Sequence, residues 1–309
     1  MNTDKNTQSQ AGAGYAYPTY PFTAILGWSI SRYELFTQCT RRYFFQYYRK
    51  HVPGVRLDHI NRLRALTSTA LATGTVVHDV IEAFLKRLQK SDTRIDRDKF
   101  FAYARNEVAK YIDYHEFQET YYKEKQRVSA EDIYPRVEAC LRNFLDSPCF
   151  NWIFMKALTN KDNWLIEPEG FGETRIDGMK AYCKMDFLFP VDDHVYILDW
   201  KTGKKDAEKH VTQLRAYALA ARHNFGVDVN RLFPKIIYLY PEVDELETSI
   251  THEQLDALVE TIRAQTAQMQ SYCRDVENNL PLDIDTFPYT EYRALCRFCN
   301  YREICACGH

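Results

Sequence analysis

Between residues 64 and 158, apolar positions recur three and four apart. RALTSTALATGTVVHDVIEAFLKRL, RDKFFAYARNEVAKYI and EDIYPRVEACLRNFL each show the spacing of an amphipathic helix. Upstream, Ser29 and Ser31 can cap one helix running to about residue 50 through SRYELFTQCTRRYFFQYYRK. After residue 160 the apolar runs shorten. WLIEPEGFGETRI, MKAYCKMDFLF and HVYILDWKTG are rich in β-branched and aromatic residues and separated by turn formers, which predicts strands. A helix, AEKHVTQLRAYALAARHNF, is stopped by Gly226; the strand PKIIYLY, an acidic hairpin-like arm and a long helix near 252–279 follow. The pattern is that of an α/β chain, with a helical insertion at about residues 90–160 ahead of its sheet. Residues 1–25 mix polar, small and proline residues without a period and are expected to form a flexible tail, leaving 26–309 as one domain.

Composition narrows this picture. The 309 residues, 45% hydrophobic, can bury one large core or two small ones. No apolar run reaches the length of a membrane span and no charged-then-apolar leader opens the chain, so a soluble, cytoplasmic protein is expected. A net charge of -2 excludes any global affinity for polyanions. The charge is nevertheless segregated: Arg32 to Arg64 holds eight Lys or Arg against two acids, and Pro241 to Glu260 holds seven acids and no Lys or Arg. A localised polyanion site needs such segregation, and two solvated faces would show it too.

The candidate chemistry lies in CKMDFLFPVDDHVYILDWKTGKK. If the turn centres between Asp192 and Asp193, then Asp186 and Asp199 stand opposite one another on neighbouring strands, with Cβ atoms ~5 Å apart. Period two places Lys201 on the face of Asp199 and sends Trp200 to the other side. Opposed like charges destabilise a sheet unless a cation compensates them, and hard oxygen ligands suit Mg²⁺ or Mn²⁺. A register shifted by one would instead leave Asp199 and Lys201 as an ordinary surface pair.

Nine cysteines in a reducing compartment point to metal binding or to thiol chemistry. Cys140, Cys149, Cys183 and Cys273 are scattered as small hydrophobes would be. The C-terminal group, from Cys296 to Cys307, is different. Cys296, Cys299 and Cys305 supply three thiolates; Cys307 or His309 could close a tetrahedral zinc site, and Cys39 is the distant candidate.

Asp186 followed by Asp199-Trp200-Lys201-Thr202-Gly203 resembles the PD-(D/E)XK nuclease superfamily, specifically its RecB-like branch. That branch carries a helical His upstream, matched by His78 in GTVVHDVIE, and a Gln-x-x-x-Tyr on the following helix, matched by Gln213 and Tyr217. The order is preserved from about residue 30 to the C-terminus. The resemblance implies a restriction-endonuclease-like mixed sheet flanked by helices, with His78, Asp186 and Asp199 binding Mg²⁺ or Mn²⁺ and Lys201 acting in catalysis. Gln213 and Tyr217 would orient Lys201 and contact the strand. Glu82, one turn from His78, is either a partner of that imidazole or a plain surface acid.

In the branch's iron–sulfur members, among them the CRISPR-adaptation exonucleases, three C-terminal cysteines join one upstream of the helical His. The resemblance therefore implies a [4Fe–4S] cluster on Cys39, Cys296, Cys299 and Cys305, leaving Cys307 over. Arg41, Arg42 and the aromatic-basic run to Lys50 would bind the strand, as stacking residues interleaved with cations do. The 108 residues from His78 to Asp186 exceed the compact enzymes' spacing, and Cys39-Thr40 stands where Cys-Pro is usual. The expected function is a metal-dependent DNA nuclease, an exonuclease on single-stranded DNA or ends, working in repair, recombination or defence with a helicase partner. The alternative is a non-catalytic iron–sulfur DNA-binding subunit.

Overall fold

The computed structural model describes residues 15–91, 95–167 and 172–306. Its N-terminal half is helical: α1 (Ile30–Gln38), α2 (Thr40–Tyr47), α3 (Leu57–Ala65), α4 (Thr69–Lys90), α5 (Arg97–Tyr114), α6 (Gln118–Tyr121), α7 (Ala130–Asp146) and α8 (Pro148–Lys156). The C-terminal half carries β1 (Leu165–Ile166), β2 (Glu173–Ile176), β3 (Met179–Tyr182), β4 (Phe187–Val191), β5 (His194–Lys201), α9 (Ala207–Phe225), β6 (Leu232–Tyr238), β7 (Asp244–Glu247), α10 (His252–Gln270), β8 (Cys273–Asp275) and β9 (Leu280–Pro281).

The main sheet runs β1-β4-β5-β6-β7. Its β5–β6 pair is parallel, because α9 carries the chain back across the sheet between them, and the other pairs are antiparallel. Strand alternation sorts side chains to two cores. Phe187, Phe189, Leu198, Trp200 and Ile237 pack with α4, α5, α7 and α8. Leu188, Val195 and Ile197 pack with α9, α10 and the first helices. The sheet is thus covered on both faces, and the helical insertion supplies one cover.

Two expected helices differ from the pattern. The segment from 29 to 50 divides at Cys39, whose backbone is extended (φ -164°, ψ 104°). Apolar periodicity continues across this break, but Thr40 Oγ1 and the Arg41 N–H both bond the Pro288 carbonyl, which pins the second piece to the C-terminal segment. The helix expected to reach residue 279 ends at Gln270; a β8–β9 hairpin occupies the remainder.

Residues 1–14 of the expected tail lie outside the described residues, as do Cys307 and His309. Tyr15 to Ile25 form no regular element, yet Tyr17 Oη donates to the Cys183 carbonyl at 2.6 Å and Lys180 Nζ donates to the Thr23 carbonyl at 2.8 Å. Among the described residues, no helix is long and apolar enough to cross a membrane.

Candidate active site

The β4–β5 register pairs Val191 with His194 and Phe187 with Leu198, so the turn centres between Asp192 and Asp193. Asp192 takes the left-handed conformation (φ 52°) that a two-residue hairpin turn needs. Extending that register by one step sets Asp186 opposite Asp199 on the α9 side of the sheet. Trp200 points to the other side, where it is 2% exposed and meets the Phe144 ring edge-on at 5.5 Å. The shifted register does not occur.

Asp186 sits at the centre of the site. Its Oδ2 accepts the Trp200 N–H at 2.9 Å and lies 3.2 Å from His78 Nδ1. Its carbonyl accepts the Glu167 N–H at 2.8 Å, which brings that residue alongside. Ligand atoms of His78, Glu167 and Asp186 all lie within 4.8 Å of one another. One imidazole and two carboxylates at that spacing fit Mn²⁺ or Mg²⁺. Glu167, which also pairs with Lys184 at 2.6 Å, carries no signal in the D…DxK pattern; its cue is its place at the end of the short run WLIE. Glu82 is turned to Lys86.

Asp199 is 2% exposed. Tyr217 Oη donates to its Oδ1 at 2.6 Å, Gln213 Nε2 donates to the same oxygen at 3.3 Å, and Gln213 Nε2 also donates to Tyr217 Oη at 2.6 Å. Both α9 side chains therefore end on the carboxylate and reach Lys201 through it. Oδ2 of Asp199 is buried and accepts no hydrogen bond; its neighbour is the Lys201 ammonium, held as an ion pair. A cation entering here would share that oxygen with Lys201.

The electrostatics match a centre built for added positive charge. Burial alone would lower the His78 pKa, but the Asp186 carboxylate overrides it and pushes it up to about 9. Burial would raise Asp186, yet the His78 charge and hydrogen bond hold it below the usual carboxylate range. Burial and the Asp186 charge push Asp199 upward. A protonated His78 and Lys201 thus supply the compensation that two opposed carboxylates require.

A groove opens over Lys201, Gln213 and Tyr217 and continues along Arg32, Tyr47 and Arg64. His210, unremarked by any motif, lines it too. It is 5% exposed, with Nδ1 2.7 Å from Tyr238 Oη, and burial reinforced by the Lys201 charge holds its pKa down at about 4. Arg41 and Arg42 lie elsewhere. Arg41 is buried, donates Nε to the Phe287 carbonyl at 2.8 Å and stacks on Tyr289.

Arg42 borders a second pocket, lined by Cys39, Cys296, Cys299 and Cys305 together with Phe45. Cys39 lies at the α1–α2 break, and its sulfur accepts the Arg42 N–H at 3.3 Å.

A family model described as the PD-(D/E)XK nuclease superfamily matches residues 27–306. A solved structure titled "Crystal structure of SSO0001" is similar over 62% of this chain and 79% of its own, at 15% sequence identity and a TM-score of 0.30. No curated protein matches.

Proposed function

The chain belongs to the PD-(D/E)XK nuclease superfamily, and from that premise we propose that it is a metal-dependent deoxyribonuclease of the RecB-like branch, an exonuclease on single-stranded DNA or DNA ends. The observation that carries this reading is the opposed pair Asp186 and Asp199, with Lys201 held against Asp199 and with His78 and Glu167 beside Asp186. A non-catalytic DNA-binding subunit has no use for two facing carboxylates, one of them buried, which destabilise the sheet that holds them.

His78, Glu167 and Asp186 would hold Mg²⁺ or Mn²⁺, with Asp199 on the facing strand as a further ligand. Such an ion, when bound, acts as a Lewis acid at a phosphoryl oxygen and acidifies a water. Lys201 positions that water and offsets the charge that grows on the phosphate. Tyr217 and Gln213 fix the rotamer of Asp199, so the carboxylate loses little freedom as the site loads.

Cys39, Cys296, Cys299 and Cys305 carry a [4Fe–4S] cluster with a structural role. Support comes from the four thiols that line one pocket, with Cys39 brought to the C-terminal three by the packing of α2. The cluster ties α1 and α2 to the C-terminal segment. Residues 26–309 form one nuclease domain, which acts in the cytoplasm in repair, recombination or defence beside a helicase.

Labelled single-stranded DNA tests the assignment. The protein cuts it with Mn²⁺ or Mg²⁺, and Asp199→Ala and Lys201→Ala, still folded, do not. Full cutting by both variants would end it.

A further inference from the structure

Arg32 presents an imbalance. The residue is 7% exposed, yet its guanidinium meets no carboxylate among the described residues. Its partners are neutral: the Gly27 carbonyl and Tyr43 Oη, each at 3.2 Å, and the rings of Tyr43 and Tyr47 at 5.5 and 4.1 Å. A buried cation without a counter-charge is costly to maintain, and an anionic ligand relieves it.

The surroundings point the same way. Arg32 lines the groove that also exposes Lys201, and so do Lys184, Lys209 and Arg64. Lys184 is neutralised by Glu167 and Lys209 by Glu34. Arg64 is exposed and makes no ion pair or hydrogen bond among the described residues. Burial raises the pKa of the Tyr47 hydroxyl, and the charges of Arg32 and Arg64 pull it back, so both cations act at that ring. Tyr47 itself is 36% exposed, although its neighbours Tyr43, Phe44, Phe45 and Tyr48 are all buried. An aromatic ring in a cationic groove, backed by a guanidinium already fixed by two hydrogen bonds, is a preorganised stacking platform.

We propose that α1, α2 and α3 carry a nucleotide subsite for an unpaired DNA strand, in which Tyr47 stacks a base while Arg32 and Arg64 hold the flanking phosphates. A base in a duplex has both faces covered by its neighbours, so the subsite selects single-stranded substrate and leads it toward Lys201. This rests on the nuclease reading for its purpose but not for its test.

Binding is measured by fluorescence anisotropy in EDTA, where no cutting is needed, with the intact chain. A short oligothymidylate binds about tenfold more tightly than an abasic deoxyribose-phosphate strand of the same length, the scale of one lost base–aromatic stack. Tyr47→Ala removes that preference and Tyr47→Trp keeps it, whereas Arg64→Gln lowers the slope of log affinity against log salt by about 0.7 on both strands. Equal binding of the two strands by the wild-type protein would overturn the subsite even if Tyr47→Ala failed to fold. A Tyr47→Ala loss of the same size on both strands would overturn it too. Preserved base-dependent binding without cutting in Mn²⁺ would instead remove the nuclease reading and leave the subsite standing.

Discussion

Tyr217 donates its hydroxyl to Oδ1 of Asp199 across 2.6 Å, from the third turn of α9 to the end of β5. Gln213, one turn earlier, donates to both partners. The helix that makes the parallel crossover possible therefore also fixes one carboxylate of the site.

Tyr217→Phe tests this link. A hydrogen bond to a charged group contributes about 1.5–3 kcal/mol, which converts to a roughly 10–100-fold fall in kcat if it holds Asp199 in place for the reaction. KM changes little because the ring still packs, while the thermal midpoint falls by a few degrees as a buried carboxylate loses a donor. Steady-state cleavage kinetics decide it; an unchanged kcat would show that the hydrogen bond serves stability alone.

Glu167→Gln tests the metal set. The amide keeps the shape and removes the charge, so Mn²⁺ affinity by titration calorimetry falls by at least tenfold while the fold is retained. The same titration on Glu82→Gln, whose carboxylate is turned to Lys86, gives wild-type affinity.

His78 makes the metal-free protein pH-dependent. Its pKa is raised from 6.5 to about 9 in the fold, so its contribution to stability is fully present below about pH 6.5 and is lost as pH rises through 9. In EDTA, the midpoint difference between wild type and His78→Asn therefore shrinks from pH 6 to pH 9.5. Because a ligating imidazole must be neutral, Mn²⁺ binding near pH 7 releases about one proton, measurable by calorimetry in buffers of different ionisation enthalpy.

Cys39→Ser separates the two roles of that residue. Serine is a good N-cap, so α2 keeps its start, but a cluster ligand is gone. If the proposed cluster is present, the wild-type protein is expected to be brown, to absorb near ~400 nm and to hold about four irons per chain, and the variant to be pale and iron-poor with unchanged helicity. A colourless wild-type protein with one zinc would reverse the assignment.

The hairpin was legible because its information is local: a polar turn, period two, and Asp186 and Asp199 at equal distances from the centre. Glu167 was not, since β1 is two residues long and only its pairing with β4 sets it beside Asp186. The break at Cys39 was hidden for a related reason. Phe36, Tyr43 and Phe44 keep the apolar stripe going, and the acceptor that divides the helix, the Pro288 carbonyl, lies some 250 positions away. The burial of Arg41 was not legible either, because its acceptor, the Phe287 carbonyl, is equally distant in the chain. Long-range partners decided each case.

The tie between α2 and the C-terminal segment has a consequence for biosynthesis. Phe44 stacks edge-on with Phe287 at 4.8 Å and Phe45 packs on Tyr301 at 5.4 Å. At about 5–20 residues per second, the ribosome makes the second partner roughly 12–50 seconds after the first. For that interval the aromatic face of α2 lacks the cover that Phe287 and Tyr301 give it, and a chain cut short before residue 287 never acquires it. Nascent-chain quality control would meet this protein first at its N-terminal helices.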